Sequence, residues 1–137
     1  MTECIFCKII KGEIPSHKIY EDEHTFAFLD IRPNNPGHTL VIPKDHFENI
    51  YTTPDEALAR MMLSAKKISI AIKNSLAADG INISMNNEEA AGQIIFHTHI
   101  HVIPRYTTDG FKHFPQKSYK QGEAEEIAKK IKLEIEN

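Results

Sequence analysis

The 137-residue sequence predicts a single α+β domain over residues 1–137, with a mainly antiparallel sheet of about five strands, one long central helix and a C-terminal helix. Three observations predict it. Short β-branched apolar segments recur with short connections between them, or with one helix between them, which favours antiparallel pairing. The stretch from Thr53 to about Ala78 repeats its apolar residues at helical spacing. A second stretch from Glu123 repeats Ala124, Ile127, Ala128 and Ile131 in the same way.

In chain order, Ile14-Pro15-Ser16 reads as a turn. Lys18-Ile19-Tyr20 and Thr25-Phe26-Ala27-Phe28-Leu29 read as strands joined across Glu21-Asp22-Glu23-His24. The loop from Asp30 to His38 carries Pro33, Pro36 and Gly37. Thr39-Leu40-Val41-Ile42 is apolar enough to be buried on both faces, and Pro43 ends it. Thr53-Pro54-Asp55-Glu56 has the pattern of a helix start, with Thr53 as cap, Pro54 in the first turn and Glu56 completing a capping box. Leu58, Met61, Met62, Ala65, Ile68, Ile72 and Leu76 then form the buried stripe, and the helix stops near Asp79-Gly80. Ile81 to Met85 is a further strand, Asn86 to Gly92 a loop, and the strand that carries the three histidines follows, flanked by Gln93–Phe96 and Val102–Arg105. In the C-terminal helix, Glu125 with Lys129 and Glu126 with Lys130 make solvated i,i+4 pairs.

Composition removes several function classes. The apolar share is 41%, the charged share 26% and the net charge −3, ordinary values for a soluble globular chain. The cations are dispersed, so no polynucleotide-binding surface is expected, although a small anion needs only a local site. No apolar run approaches a membrane span, and the start Met1-Thr2-Glu3-Cys4 lacks a secretory pattern. A cytoplasmic protein is expected, in which two cysteines do not form a structural disulfide.

The densest chemistry lies in His97-Thr98-His99-Ile100-His101. On a strand, alternation puts the three imidazoles on one face, with successive histidine Cα atoms about 6.6 Å apart. Three uses are open. The histidines are partly exposed surface groups, or a His-x-His pair holds a catalytic zinc, or one imidazole attacks an electrophile while a neighbour handles protons. The last use gains from crowding, because close imidazoles disfavour one another's charging and keep the attacking ring neutral. The second cluster is Cys4-x-x-Cys7. A redox pair follows a strand and opens a helix, which a Cys at the extreme N-terminus is not expected to do. Half of a structural zinc site needs two further ligands, and two free thiols are the remaining alternative.

These residues carry a resemblance. The alternation His97-Thr98-His99-Ile100-His101-Val102-Ile103 resembles the signature of the histidine triad (HIT) family. Cys4-Ile5-Phe6-Cys7-Lys8-Ile9, Pro36-Gly37-His38-Thr39-Leu40-Val41-Ile42-Pro43-Lys44 and Ala91-Gly92-Gln93 are similar to family landmarks in family order. Cys4-x-x-Cys7 and Ile103-Pro104-Arg105-Tyr106 favour the Hint-like branch of small bacterial proteins. The resemblance implies a HIT-like fold and cleavage at the α-phosphate of nucleoside phosphoramidates or nucleotidyl adducts. A covalent nucleotidyl-histidine would form on the way to a nucleoside monophosphate, AMP or GMP. It implies His99 as the nucleophile, with His101 and His38 contacting the α-phosphate. Gln93 falls at the phosphate, Asp30 at both ribose hydroxyls, Asn86 near ribose and phosphate, and Phe6, Phe28 and Ile31 at the wall of the base pocket. Cys4, Cys7, His46 and His97 match a structural Zn2+ site in metal-bearing relatives. A homodimer acting on a purine nucleotide is also implied. Hydrolysis of diadenosine polyphosphates, and nucleotide binding with vestigial catalysis, are the competing functions.

Plain structural readings stand beside these roles. Phe6 and Phe28 also suit the core, Asp30 and Asn86 suit turns, and His38 suits a loop. His17, His24 and His113 read as surface residues. Two positions depart from the family pattern. Ile94 stands where many relatives have a hydroxyl residue that contacts phosphate. Glu88 stands where relatives often have Gly, and its carboxylate would face an anionic substrate or solvent.

Overall fold

The computed structural model describes residues 3–137. The elements are α1 (Ile5–Ile10), β1 (Lys18–Glu21), β2 (Thr25–Leu29), β3 (Thr39–Pro43), α2 (Asp55–Leu76), β4 (Gly80–Ser84), β5 (Ile100–Arg105) and α3 (Glu123–Glu136). Single 3-10 turns lie at Ile50–Thr52 and Glu89–Ala91. The five strands form one sheet in the order β1-β2-β3-β5-β4, with every neighbouring pair antiparallel. The expected α+β class therefore holds.

The register sorts side chains by face. Val41 pairs with Ile100 and Leu40 with His101, so alternation divides the sheet between two cores. Ala27, Val41, Ile100 and Val102 meet Met61, Ala65, Ile68 and Ile72 of α2 on one face. Phe26, Phe28, Leu40 and Ile42 meet Phe6 and Ile9 of α1 on the other. Each fully buried large apolar side chain contributes about 1.5–3 kcal/mol, so each face holds its helix firmly. The second face, opposite α2, carries His101.

Several expectations need correction. Helix α1 was not anticipated. Cys4 caps it by accepting a hydrogen bond from the Cys7 N–H at 3.4 Å, and Phe6 with Ile9 buries one side. The last strand starts only at Ile100, leaving His97 and His99 just ahead of it. Thr53 does not cap α2, whose N-cap is Pro54 with no side-chain hydrogen bond. Its hydroxyl instead donates to the Asn49 carbonyl at 2.7 Å and meets the Thr98 hydroxyl at 2.7 Å, strapping the segment before α2 to the histidine run. Helix α2 ends at Leu76 because Ala77 turns left-handed, with φ 53°. Met62 is about half exposed, so Met61 alone of the two fills core. No α3 side chain is buried, so this helix does not pack on the sheet.

Gly37 has a packing reason as well as a turn reason. Its φ is +99°, a conformation that favours glycine, and a Cβ there would also lie 2.5 Å from Leu76 Cδ1 and push that side chain away as the Asp30–His38 loop closes against the end of α2. That closure aims His38 at His101.

Candidate active site and metal centre

Carbonyl oxygens and backbone amides decide which nitrogen of each imidazole carries the proton. His99 Nδ1 lies 2.7 Å from the His97 carbonyl, which can only accept. Nδ1 is therefore protonated, and Nε2 keeps the lone pair. His38 Nδ1 accepts from the Asn34 N–H at 3.0 Å, so the His38 proton sits on Nε2 and is donated to His101 Nδ1 at 2.9 Å. The His101 proton is then on Nε2, a buried atom with no hydrogen-bond partner. An orphaned buried donor costs about 1–3 kcal/mol, and an anionic oxygen would relieve it. His99 and His101 face each other edge to face with centroids 5.0 Å apart.

Burial keeps these rings neutral. It lowers the pKa of His38 and His99, and it pulls that of His101 down to about 4 with help from the charges of His99 and His38. Asp30 opposes the shift in all three, and its carboxylate lies 3.7 Å from His38 Nε2. Asp30, His38 and His101 stand close enough to suggest a metal cluster. The proton on His38 Nε2 argues against one, because the ligating nitrogen must be free.

His97 serves a different centre. Its Nε2 lies 2.9 Å from the Pro43 carbonyl and must donate, which leaves Nδ1 free. That nitrogen is 3.1 Å from His46 Nδ1, 3.4 Å from Cys4 Sγ and 3.6 Å from Cys7 Sγ, with Cys7 Sγ to His46 Nδ1 at 3.4 Å. Tetrahedral zinc with Zn–N of about 2.0 Å and Zn–S of about 2.3 Å requires ligand-to-ligand edges of roughly 3.3–3.8 Å. Three of the four distances fall in that range and the His46–His97 edge of 3.1 Å is slightly shorter, so the four donors are grouped as a zinc ion would need them. Burial holds His97 near a pKa of about 4, lowers that of His46 and raises that of the Cys7 thiol. A cation at their centre would reverse the penalty on the thiol. His99 is not part of this set, which keeps it apart from the candidate metal site and disfavours a zinc shared by His97 and His99.

The remaining expected residues are placed unevenly. Phe6 lies edge-on to His99 at 5.2 Å, to His97 at 5.8 Å and to Phe28 at 5.4 Å. Both phenylalanines are buried core, so the free apolar surface of the expected base wall is Ile31, 83% exposed. Asp30 is partly exposed, with Oδ1 accepting from the Arg32 N–H at 2.9 Å and its other oxygen near His38. Asn86 packs within 3.6 Å of the position a Gly92 Cβ would take.

Gln93 departs most from its expected role. It is buried, its Oε1 accepts from the Glu88 N–H at 2.8 Å, and its Nε2 donates to the Glu48 and Ile95 carbonyls at 2.8 and 3.1 Å. Both of its amide protons are spent on the protein, so it braces the 86–95 loop here. Glu88 takes φ 74° and ψ 160°, a region that suits glycine, and its carboxylate raises the pKa of Tyr51. Ile94 is 84% exposed and offers no hydroxyl. His17, His24 and His113 are exposed, as expected.

Sequence reasoning missed the groups that set the tautomers: the Asn34 amide and the Pro43 and His97 carbonyls. They are backbone atoms, and no residue type reports them. The start of α1 was readable, since Ile5, Phe6, Ile9 and Ile10 recur at helical spacing.

Comparison with known proteins agrees with this fold. Residues 11–108 match the HIT domain family model. An uncharacterized HIT-like protein of Borreliella burgdorferi is 48% identical over 138 residues, covering 99% of this chain and 91% of its own. The Arabidopsis thaliana adenylylsulfatase HINT3 is 47% identical over 108 residues, 79% of this chain and 55% of that protein. Among solved structures, a Streptococcus mutans protein superposes with a TM-score of 0.93 at 44% identity, covering 98% of this chain and 87% of its own. A Zn-bound histidine triad family protein from Mycobacterium smegmatis superposes with a TM-score of 0.78 at 38% identity, covering 99% of each chain.

Proposed function

Because this chain belongs to the HIT domain family, we propose that it is a nucleotide hydrolase or transferase acting through a covalent nucleotidyl-His99 intermediate. The carrying observation is the His99 Nδ1–H bond to the His97 carbonyl, which leaves Nε2 neutral and nucleophilic beside the unpaired His101 N–H. Nε2 attacks the α-phosphorus of a nucleoside phosphoramidate or nucleotidyl adduct, the phosphorus–leaving-group bond breaks, and the leaving amine departs with a proton taken from solvent. The His97 carbonyl then faces a ring that has gained positive character. Water attacks the same phosphorus, Nε2 leaves, and AMP or GMP is released. His101, positioned by His38, donates to the phosphoryl oxygen as its charge grows. Asp30 offers its carboxylate to the ribose hydroxyls, and Ile31 with Asn86 borders the nucleoside. The adenylylsulfatase relative acts on a substrate of related type, and this supports a nucleotidyl group as the transferred unit.

Cys4, Cys7, His46 and His97 hold a structural Zn2+ in this reading, which ties α1 to the histidine run. The Zn-bound M. smegmatis relative supports it. The protein acts as a cytoplasmic homodimer on a purine nucleotide. No helix among the described residues is long and apolar enough to cross a membrane. β4 is an open sheet edge, and Ile83, Met62 and Ile70 are exposed apolar groups available to a two-fold partner.

The test is intact mass spectrometry during turnover of an adenosine phosphoramidate by the wild type and by His99→Gly. A transient gain of one adenylyl group in the wild type alone is expected. Nucleotide binding with neither adduct nor AMP would refute the enzyme. It would favour a second reading, a nucleotide sensor, for which Ile94 in place of a hydroxyl is the specific observation. Diadenosine polyphosphates belong in the same assay as competing substrates.

A further inference from the structure

His97 to His99 lie ahead of β5, whose pairing with β3 begins at Ile100, so the sheet does not set the shape of this run. The segment 47–53 sets it instead. The Thr98 N–H donates to the Phe47 carbonyl at 2.7 Å. The peptide bond between His97 and Thr98 is trans, and in a planar trans unit the C=O and the N–H point in opposite directions. Anchoring the Thr98 N–H on Phe47 therefore turns the His97 carbonyl to the other side, where His99 Nδ1 meets it at 2.7 Å. One peptide unit thus joins the 47–53 segment to the His99 ring.

The Thr98 side chain reinforces the anchor. Thr98 and Thr53 are buried, and their hydroxyl oxygens lie 2.7 Å apart. Thr53 also approaches the Asn49 carbonyl at 2.7 Å, and Thr98 the Phe47 carbonyl at 3.1 Å, but the two hydroxyls have only two protons between them. The two shorter approaches form one chain, in which Thr98 donates to Thr53 and Thr53 donates to Asn49. The Phe47 carbonyl keeps the Thr98 N–H as its donor. Asn49 is a firm end for the chain, since its carbonyl also accepts from the Thr52 N–H at 3.2 Å and its side chain accepts from the Tyr51 N–H at 3.2 Å. Packing does not account for the two hydroxyls. A buried hydroxyl costs free energy unless it is bonded, and a valine would fill either place without that cost.

We propose that Thr53 and Thr98 are positioning residues for His99. Their hydroxyl chain holds the 97–98 peptide plane, the plane aims the His97 carbonyl, and the carbonyl keeps the His99 proton on Nδ1. Both hydroxyls are buried, so they act through the peptide and not on substrate. Without the chain the plane rocks, the carbonyl leaves the ring, and part of the population carries its proton on Nε2, where the ring cannot attack. The tautomer follows from the geometry alone, while its effect on rate rests on the nucleotidyl-His99 reading.

The experiment records long-range 1H–15N spectra of full-length, zinc-supplied protein carrying 15N-labelled histidine, at alkaline pH where the imidazoles are neutral. Such spectra separate the two neutral tautomers of a ring. The His99 signals, assigned by their loss in His99→Gly, should show the Nδ1–H form alone in the wild type. Thr98→Val removes the chain while Thr53 still serves Asn49, and Thr53→Val removes its other half. Both should add an Nε2–H signal for His99 and slow adduct formation about five- to tenfold at unchanged KM, the share of one neutral hydrogen bond. Thr53→Ser keeps the hydroxyl and should restore both readouts. A purely structural role would lower the unfolding midpoint and leave the tautomer of the folded protein as it is. The Nδ1–H form alone in both valine variants, or an Nε2–H signal in Thr53→Ser as strong as in Thr53→Val, would overturn the proposal. A tautomer shift in the valine variants of a protein that never forms the adduct would refute the catalytic reading and leave this one standing.

Discussion

Glu88→Gly should make the protein more stable. Glu88 holds φ 74° and ψ 160°, where a Cβ meets the backbone and only glycine rests without strain. Such a conformation costs about 1–3 kcal/mol in a non-glycine residue. Glycine relieves it but adds unfolded-state entropy worth about 0.5–1 kcal/mol. The difference leaves a net gain of roughly 0–2.5 kcal/mol. The substitution also removes the exposed hydrogen bond between the Glu88 carboxylate and Tyr51, whereas the tie to Gln93 at 2.8 Å uses the backbone N–H and is kept. Glu88→Ala is the control, since it deletes the carboxylate and keeps the strained Cβ. Urea unfolding should show a higher midpoint for Gly with an unchanged slope, and a midpoint near wild type for Ala. Equal stability of the two variants would refute the backbone argument and place any effect in the charge.

The buried histidines predict acid sensitivity in the metal-free protein. His97 is fully buried with a pKa of about 4, against an ordinary value of 6.5, so the unfolded chain takes its proton first as pH falls. Stability is therefore full above about 6.5 and declines toward about 4, by about 2 kcal/mol at pH 5 from this one group. Urea unfolding in chelator at pH 7.5 and 5 measures it, and equal stability would contradict the assignment. Zinc should be bound at one ion per chain by elemental analysis and lost in Cys7→Ser, with a lower melting temperature. His99 adduct formation should survive at low temperature, whereas a metal content far below one in the wild type would remove the structural-zinc reading.

Much of the fold was readable in the sequence because its signals are local. The unbroken apolar run of Thr39–Ile42, buried on both faces, and the period of 3.6 from Leu58 to Ile72 each reflect burial of one element against the next, and both were recovered. The site residues were readable as types, but their duties were not. Gln93 sits where phosphate contact was expected, yet Glu48, Glu88 and Ile95 take up its amide. Thr53 has the pattern of a cap, yet Asn49 and Thr98 claim its hydroxyl. In both cases the competing partner is distant in sequence or is a backbone atom.

The sequence by itself determined the α+β class and the alternation that presents His99 and His101 together, whereas His46 and His97 joined Cys4 and Cys7 only through the family resemblance and the fold. The class and the alternation depend on residue type and spacing. Only the tertiary structure decided which nitrogen of each imidazole holds the proton, and which helix finds no partner within its own chain. The first depends on the Pro43 and His97 carbonyls and the Asn34 amide, which every sequence possesses and only a fold can aim. The second depends on the path from Tyr106 to Gly122, which carries the apolar stripe of α3 away from the sheet that its pattern alone would have assigned to it.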